Sequence, residues 1–383
     1  MTPTSVPWHD PKRYAWLLGL VIPVSPFAGG ALAAATGSSA WWFLGVMLVF
    51  GVIPVLDLVL GLDASNPPDS ILAWLEDDRY YRWCIFAFVP LQYAGLVYAG
   101  AVWSRGDVPM VAKLGLALTM GMVAGLAINA AHELGHKKES VERWLSKVAL
   151  AQSCYGHFYI EHNRGHHVRV STPEDPASSR FGESFYAFWP RTVAGSVVSA
   201  LGIERARLQR AGRSFWSIDN DVLSAWLMSV VLFGALLAAF GWRVAPFLAL
   251  QAVIGFSLLE AVNYIEHYGL LRAVSADGRY ERCRAAHSWN SDNVASNVFL
   301  YHLQRHSDHH AHPVRRYQAL RTVDEAPNLP SGYATMILLA VVPPLWRRVM
   351  DRRVLAHYAG DVSRLNIQPS KRARLLARHG AAA

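Results

Sequence analysis

Apolar and polar positions in this chain come in blocks. Six apolar runs, at 14–36, 41–62, 81–103, 108–131, 222–241 and 244–264, each approach the roughly 20 residues an α-helix needs to cross a bilayer. They predict six transmembrane helices. The first run ends in a small-residue stretch, 29–37, of the kind that precedes signal-peptidase cleavage, but its apolar part is long for a signal peptide, so a retained signal anchor is expected. Beyond residue 266 the chain is polar to about Pro330. It turns apolar again over 332–346, where Pro343 and Pro344 interrupt a stretch too short to span, and an interfacial helix is expected there.

Charge orients this pattern. Loop 132–221, between the fourth and fifth spans, carries Lys137, Lys138, Arg143, Lys147 and a series of arginines from Arg164 to Arg213. The tendency of such residues to stay inside puts this loop on the cytoplasmic face. Loops 37–40, 104–107 and 241–243 then lie outside, short and nearly uncharged. An even number of spans returns both termini to the inside, where Lys12 and Arg13 stand. Membrane topology thus explains the net charge of +8 without a nucleic-acid partner. The class expected is all-α: a six-transmembrane-helix bundle forming one membrane-integrated domain over 1–383, with a cytoplasmic helical cap from 132–221 and 265–383. The basic tail, including Arg352, Arg353, Arg364, Lys371, Arg372, Arg374 and Arg378, reads as a solvated face beside anionic membrane lipid or, more sharply, as a docking surface for an acidic partner. Cys84, Cys154 and Cys283 form no C-x-x-C pair, which leaves neither a disulfide framework nor a thiolate metal site.

Histidine changes the picture most. Of the 16 histidines, most fall in four tight clusters. His132 and His136, in H-E-L-G-H at the end of span four, share a helical face at i and i+4. His162 and His166 repeat that spacing, with His167 turned about 100° away, so one stretch can serve two ions. His267 closes span six on the same membrane side as the end of span four. His306, His309 and His310 form an i, i+3, i+4 set. Nine imidazoles exceed the about four to six ligands of one ion and suit two ions with five or fewer each. A dinuclear, histidine-ligated metal site is expected. Glu133, Glu161, Glu266 and Asp308 flank these ligands and are expected to accept the free ring N–H of histidines from other clusters, although a direct carboxylate ligand stays open. His157, His287, His302 and His312 extend no set and read as supporting residues.

At these motifs the chain resembles the alkane 1-monooxygenase family, within the membrane di-iron superfamily that also holds fatty-acid desaturases and xylene monooxygenases. The likeness extends to Pro54-Val55-Leu56-Asp57, Asn66-Pro67-Pro68, Gly156-His157-Phe158 and 287–291, His-Ser-Trp-Asn-Ser, and so covers nearly the whole chain. Asn263 to Gly269, N-Y-I-E-H-Y-G, argues for hydrocarbon hydroxylation over desaturation. The resemblance implies two non-haem iron ions and O2 as co-substrate. One oxygen atom enters the terminal carbon of a medium-chain n-alkane, giving a primary alcohol, and the other becomes water. It also implies rubredoxin as electron donor, fed by a rubredoxin reductase with NADH; with no C-x-x-C pair among these 383 residues, rubredoxin is not within them and is expected either in trans or in a further part of the natural protein.

An alkane offers nothing to hydrogen-bond, so only shape and burial, about 0.8 kcal/mol per CH2, can hold it. Val49 and Phe50 in span two and Ile254 and Leu258 in span six are candidate walls of an apolar channel. Asp57, inside span two, is costly in lipid unless it faces protein or water, and is expected to anchor structure or a water path. A zinc protease, suggested by H-E-x-x-H alone, would leave six histidines unexplained. A metal transporter would set its ligands near the bilayer midplane, not at one end of the bundle. A desaturase or aryl-methyl hydroxylase would present a similar metal site, and only its products would tell it apart.

Overall fold

The computed structural model describes residues 8–379. Every long element among them is helical, and the β-pairings are isolated bridges. Six helices are long and apolar enough to cross a membrane: α1 (Ala15–Thr36), α2 (Ser39–Leu60), α3 (Arg79–Ser104), α4 (Met110–Gly135), α8 (Asp221–Phe240) and α9 (Trp242–His267). The chain is a multi-pass membrane protein. Between α4 and α8 lie α5 (Ser140–Ala151), α6 (158–169) and α7 (Phe185–Arg210); after α9 come α10 (Val294–Phe299), α11 (His306–Ala311), α12 (Tyr333–Ala340), α13 (Pro343–His357) and α14 (Arg372–His379). These build a cap over one end of the bundle.

The spans are not equivalent. In α4, 72% of the most apolar window is buried within the protein, against 22% in α2 and α8. α4 is therefore the central post, and its composition allows it: Gly121 and Gly125 face Ile254 and Leu258 of α9, where an added Cβ would stand 2.4 and 2.7 Å from those side chains, and Gly255 approaches Ala124 equally closely. Without a hydrophobic drive between helices in lipid, such close backbone approach is how spans gain packing energy. The two histidine-bearing helices are thereby held side by side.

α2 is interrupted by a π-helical turn at Leu48–Val52, just before Pro54. Asp57, one turn further on, is buried and accepts hydrogen bonds from Ser296 N at 2.9 Å and Ser296 Oγ at 2.5 Å. It ties the span to α10 of the cap. Over 332–346 the structure has a broken pair, α12 and α13, rather than one interfacial helix: Tyr333, Ala334, Met336 and Ala340 are buried toward α9, while Leu338, Val341, Val342 and Leu345 stay exposed. Tyr333 is what commits α12 to the interior, since its hydroxyl reaches the buried Glu266 at 2.9 Å.

Candidate metal centre

Four separated segments meet where the bundle joins the cap. α4 ends by presenting His132 and His136 to the cap; α9 ends on His267; α11 carries His306, His309 and His310; α6 carries His162, His166 and His167 through a π-helical turn at Glu161–His166. The widened turn sets His167 against His162, Nε2 to Nε2 3.1 Å apart, and leaves His166 stacked alongside and aimed elsewhere. The α-helical face expected for His162 and His166 is therefore not how the stretch divides.

The nine histidines fall into two groups, each with ligand atoms within 4.8 Å of one another: His132, His136, His162, His167 and His309, and His166, His267, His306 and His310. α6 and α11 contribute to both. The groups abut, with the His167 and His310 rings 4.4 Å apart between centroids. Nε2 atoms approach one another at 3.0 Å (His132–His309), 3.2 Å (His309–His167) and 2.9 Å (His310–His306). Metal–nitrogen bonds of about 2.1 Å at near-right angles give about 3.0 Å between nitrogens, so these spacings suit nitrogens sharing an ion. The buried Nε2 atoms of His136, His166 and His267 have no hydrogen-bond partner, which in a metal-free site would be costly. Burial, followed by repulsion among the rings, holds His136, His162, His167, His306, His309 and His310 far below the ordinary histidine range. This environment favours the neutral imidazole, the form that binds a metal ion.

The carboxylates expected to brace these rings have other partners. Glu133 pairs with Lys137 at 2.8 Å and accepts from Tyr317 N. Glu161 binds Arg169 and Ser199, and Asp308 accepts from Arg315 and from Arg321 N. A residue and its neighbour on a helix point different ways, so these acids face the surrounding cap while the histidines face inward. Glu266 differs: its Oε2 lies 3.2 Å from His306 Nε2, the nitrogen that faces the group. The carboxylate that does accept a free ring N–H is one the sequence reading missed, Asp175, 2.9 Å from His166 Nδ1. Burial works to raise the Asp175 carboxyl, but His166 and Ser178 hold it below the usual carboxylate range. Its only signal in the sequence was an acid in the polar turn nine residues after His166. His267 Nδ1 finds the backbone carbonyl of His287 at 3.1 Å. His157 and His302 lie outside both groups, and His312 is 53% exposed at its side chain.

A narrow cavity of about 70 Å³ runs from the histidines into the bundle. His132, His162, His306 and Glu266 stand at its inner end; Val49, Ile53, Gly125, Leu258, Leu259 and Ile337 are among its walls. Of the four candidate wall residues, Val49 and Leu258 line it, while Phe50 and Ile254 do not. Ile254 packs instead into the notch left by Gly121, and Phe50, next to Val49, takes another direction around the π turn.

Residues 108–340 match the fatty acid desaturase family model. Alkane 1-monooxygenase of Acinetobacter baylyi is 48% identical over 374 residues, covering 97% of this chain and 92% of the relative. Its counterpart from Ectopseudomonas oleovorans is 46% identical, covering 97% and 92%. The xylene/toluene monooxygenase hydroxylase component of Pseudomonas putida is 27% identical over 312 residues, 80% of each chain. With its histidines gathered over an apolar cavity and near-full-length identity of this degree, the chain belongs to the alkane 1-monooxygenase family, within the broader fatty acid desaturase family.

Proposed function

We propose that this protein hydroxylates the terminal carbon of medium-chain n-alkanes to primary alcohols, with two iron ions held by the five-histidine and four-histidine groups. The observation that carries the reading is the cavity: hydrocarbon walls ending on His132, His162 and His306. A terminal methyl that reaches the inner end meets the metal centre, and the polar side chains along the walls are engaged within the protein, Asn129 with the Leu300 carbonyl, Asn263 with Glu260 and Ser296 with Asp57. When bound, the ions supply O2 activation and the oxidising power to break a strong C–H bond. The balance is alkane, O2, two protons and two electrons to alcohol and water.

The chain's own residues hold and exclude. Val49, Leu258 and Leu259 take up the alkyl chain by burial, worth about 0.8 kcal/mol per CH2. Asn129, which lines the cavity, has its amide turned to the Leu300 carbonyl at 2.8 Å. Glu266, held by Tyr333 OH, places a carboxylate beside His306 where the cavity meets the histidines. Rubredoxin, reduced by its reductase with NADH, supplies the electrons, and the cap faces the cytoplasm of a bacterial inner membrane; the basic loop 132–221 supports that orientation.

Membrane-bound protein supplied with octane, heavy-isotope O2, rubredoxin, reductase and NADH is expected to yield labelled 1-octanol by gas chromatography with mass detection. Absence of oxygenated octane from an iron-loaded sample would sink the reading and turn the test to fatty-acyl and aromatic substrates.

A further inference from the structure

Helix α13 has two faces with different surroundings. Trp346, Met350 and Val354 are buried, and the Trp346 ring lies 4.9 and 5.2 Å from those of Tyr264 and Tyr268 at the end of α9. On another face Arg347, Arg348, Asp351, Arg352 and Leu355 recur at i, i+1, i+4, i+5 and i+8, a helical stripe. With Arg378 of α14 they line an open groove of about 510 Å³. Among the described residues, Arg347, Arg348 and Arg352 have no ion-pair partner, and the acid in their midst, Asp351, is engaged by Tyr268 OH at 2.8 Å.

Where α13 begins, the charge gives way to hydrocarbon. Leu338, Val341, Val342 and Leu345 are 36–50% exposed at the α12–α13 corner. Tyr186, also exposed, directs its hydroxyl to the Val341 carbonyl at 2.7 Å, an aromatic with one apolar side and one polar tip as found at bilayer interfaces. α12 packs against α9, so the corner lies against the bundle at the end where the cap begins.

We propose that this groove is a binding site for an anionic phospholipid. Arg347, Arg348 and Arg352 take the phosphate headgroup, and the acyl chains descend over Leu338, Val341, Val342 and Leu345. Free cations directly bordering exposed hydrocarbon select a ligand that joins an anion to hydrocarbon. Inorganic phosphate would satisfy only the arginines. An acidic protein would leave the apolar corner uncovered. The inference does not depend on the reaction the protein catalyses.

The test is lipid retention by the purified full-length protein in detergent, offered phosphatidylglycerol or phosphatidylcholine and read by native mass spectrometry. The unmodified protein is expected to retain phosphatidylglycerol preferentially. The R347Q/R348Q/R352Q protein should hold it roughly fivefold less tightly for each charge removed, whereas R105Q, in the loop between α3 and α4, should match the unmodified protein. Equal retention by the triple variant overturns the proposal. So does displacement of the lipid by equimolar inorganic phosphate, or loss of binding to an acidic protein such as rubredoxin with lipid retention unchanged. If the triple variant melts early, the single R348Q variant carries the same comparison, with the one-charge effect expected.

Discussion

Asp175 and His166, nine residues apart and both fully enclosed, meet at 2.9 Å, carboxylate Oδ2 to ring Nδ1. The bond fixes which nitrogen of His166 is free, and that nitrogen, Nε2, is buried with no other partner beside His267, His306 and His310. Ser178 Oγ braces the same carboxylate at 2.6 Å. Partners of this kind set ring orientation and ligand basicity, and losing one lowers metal affinity about 10–100-fold. Asp175→Asn is therefore expected to lose close to one ion per chain on dialysis against a chelator, since only one group contains His166. Metal-to-protein ratios matching the unmodified protein would refute the bracing role of Asp175.

His162→Ala and His309→Ala each remove a ring from the five-histidine group. Both are expected to abolish alkane oxidation while the protein still partitions with membranes, because the spans owe nothing to these rings. Full activity in either variant would sink the ligand assignment.

The cavity walls predict chain-length preference. A Cβ on Gly125 would stand 2.7 Å from Leu258 Cδ1, so Gly125→Val should narrow the cavity and shift product from a mixture of n-alkanes toward shorter chains. Leu258→Ala should admit longer ones. Phe50→Ala, outside the lining, should leave the profile unchanged; a shift as large as that of Leu258→Ala would contradict the wall assignment.

Asp57→Leu leaves the buried Ser296 N–H and hydroxyl without an acceptor. Each unsatisfied group costs about 1–3 kcal/mol, so the variant should melt well below the unmodified protein in detergent. Ser296→Ala in the same chain should recover part of the loss, as it removes one stranded donor. No recovery would mean that Asp57 acts through something other than Ser296.

Burial raises the Asp351 carboxyl to about 6 against Tyr268, Arg347 and Arg378. A carboxyl raised in the fold binds its proton more tightly folded than unfolded, so the fold loses stability as pH climbs from about 4 to about 6 and no further above that. The span is worth about 2–3 kcal/mol at most. Asp351→Asn should flatten this part of the melting-temperature profile. An unchanged slope would assign it to other groups.

Much of this architecture is legible in the amino-acid sequence. The spans could be read because lipid demands a continuous apolar surface and an internally bonded backbone, a requirement written locally along each helix. The i, i+4 pairing of His132 with His136 was equally local. The glycine notch that keeps Ile254 off the cavity was not, because it depends on which face α4 turns to α9. Nor did proximity in sequence identify the acids that brace the rings: Glu133, Glu161 and Asp308 sit next to histidines yet bond to Lys137, Arg169 and Arg315.

By itself, then, the sequence determined six apolar helices, two of which end in histidine clusters on one side of the membrane, and two further clusters in the polar segments that follow them, since hydropathy and helical spacing are properties of short segments. Only the tertiary structure decided that nine rings divide five and four, that His162 and His167 part from His166, and that Asp175 orients His166. Those outcomes turn on a π-helical turn and on the packing of segments more than a hundred residues apart, where side-chain direction is set by the neighbours a helix meets and not by its own periodicity.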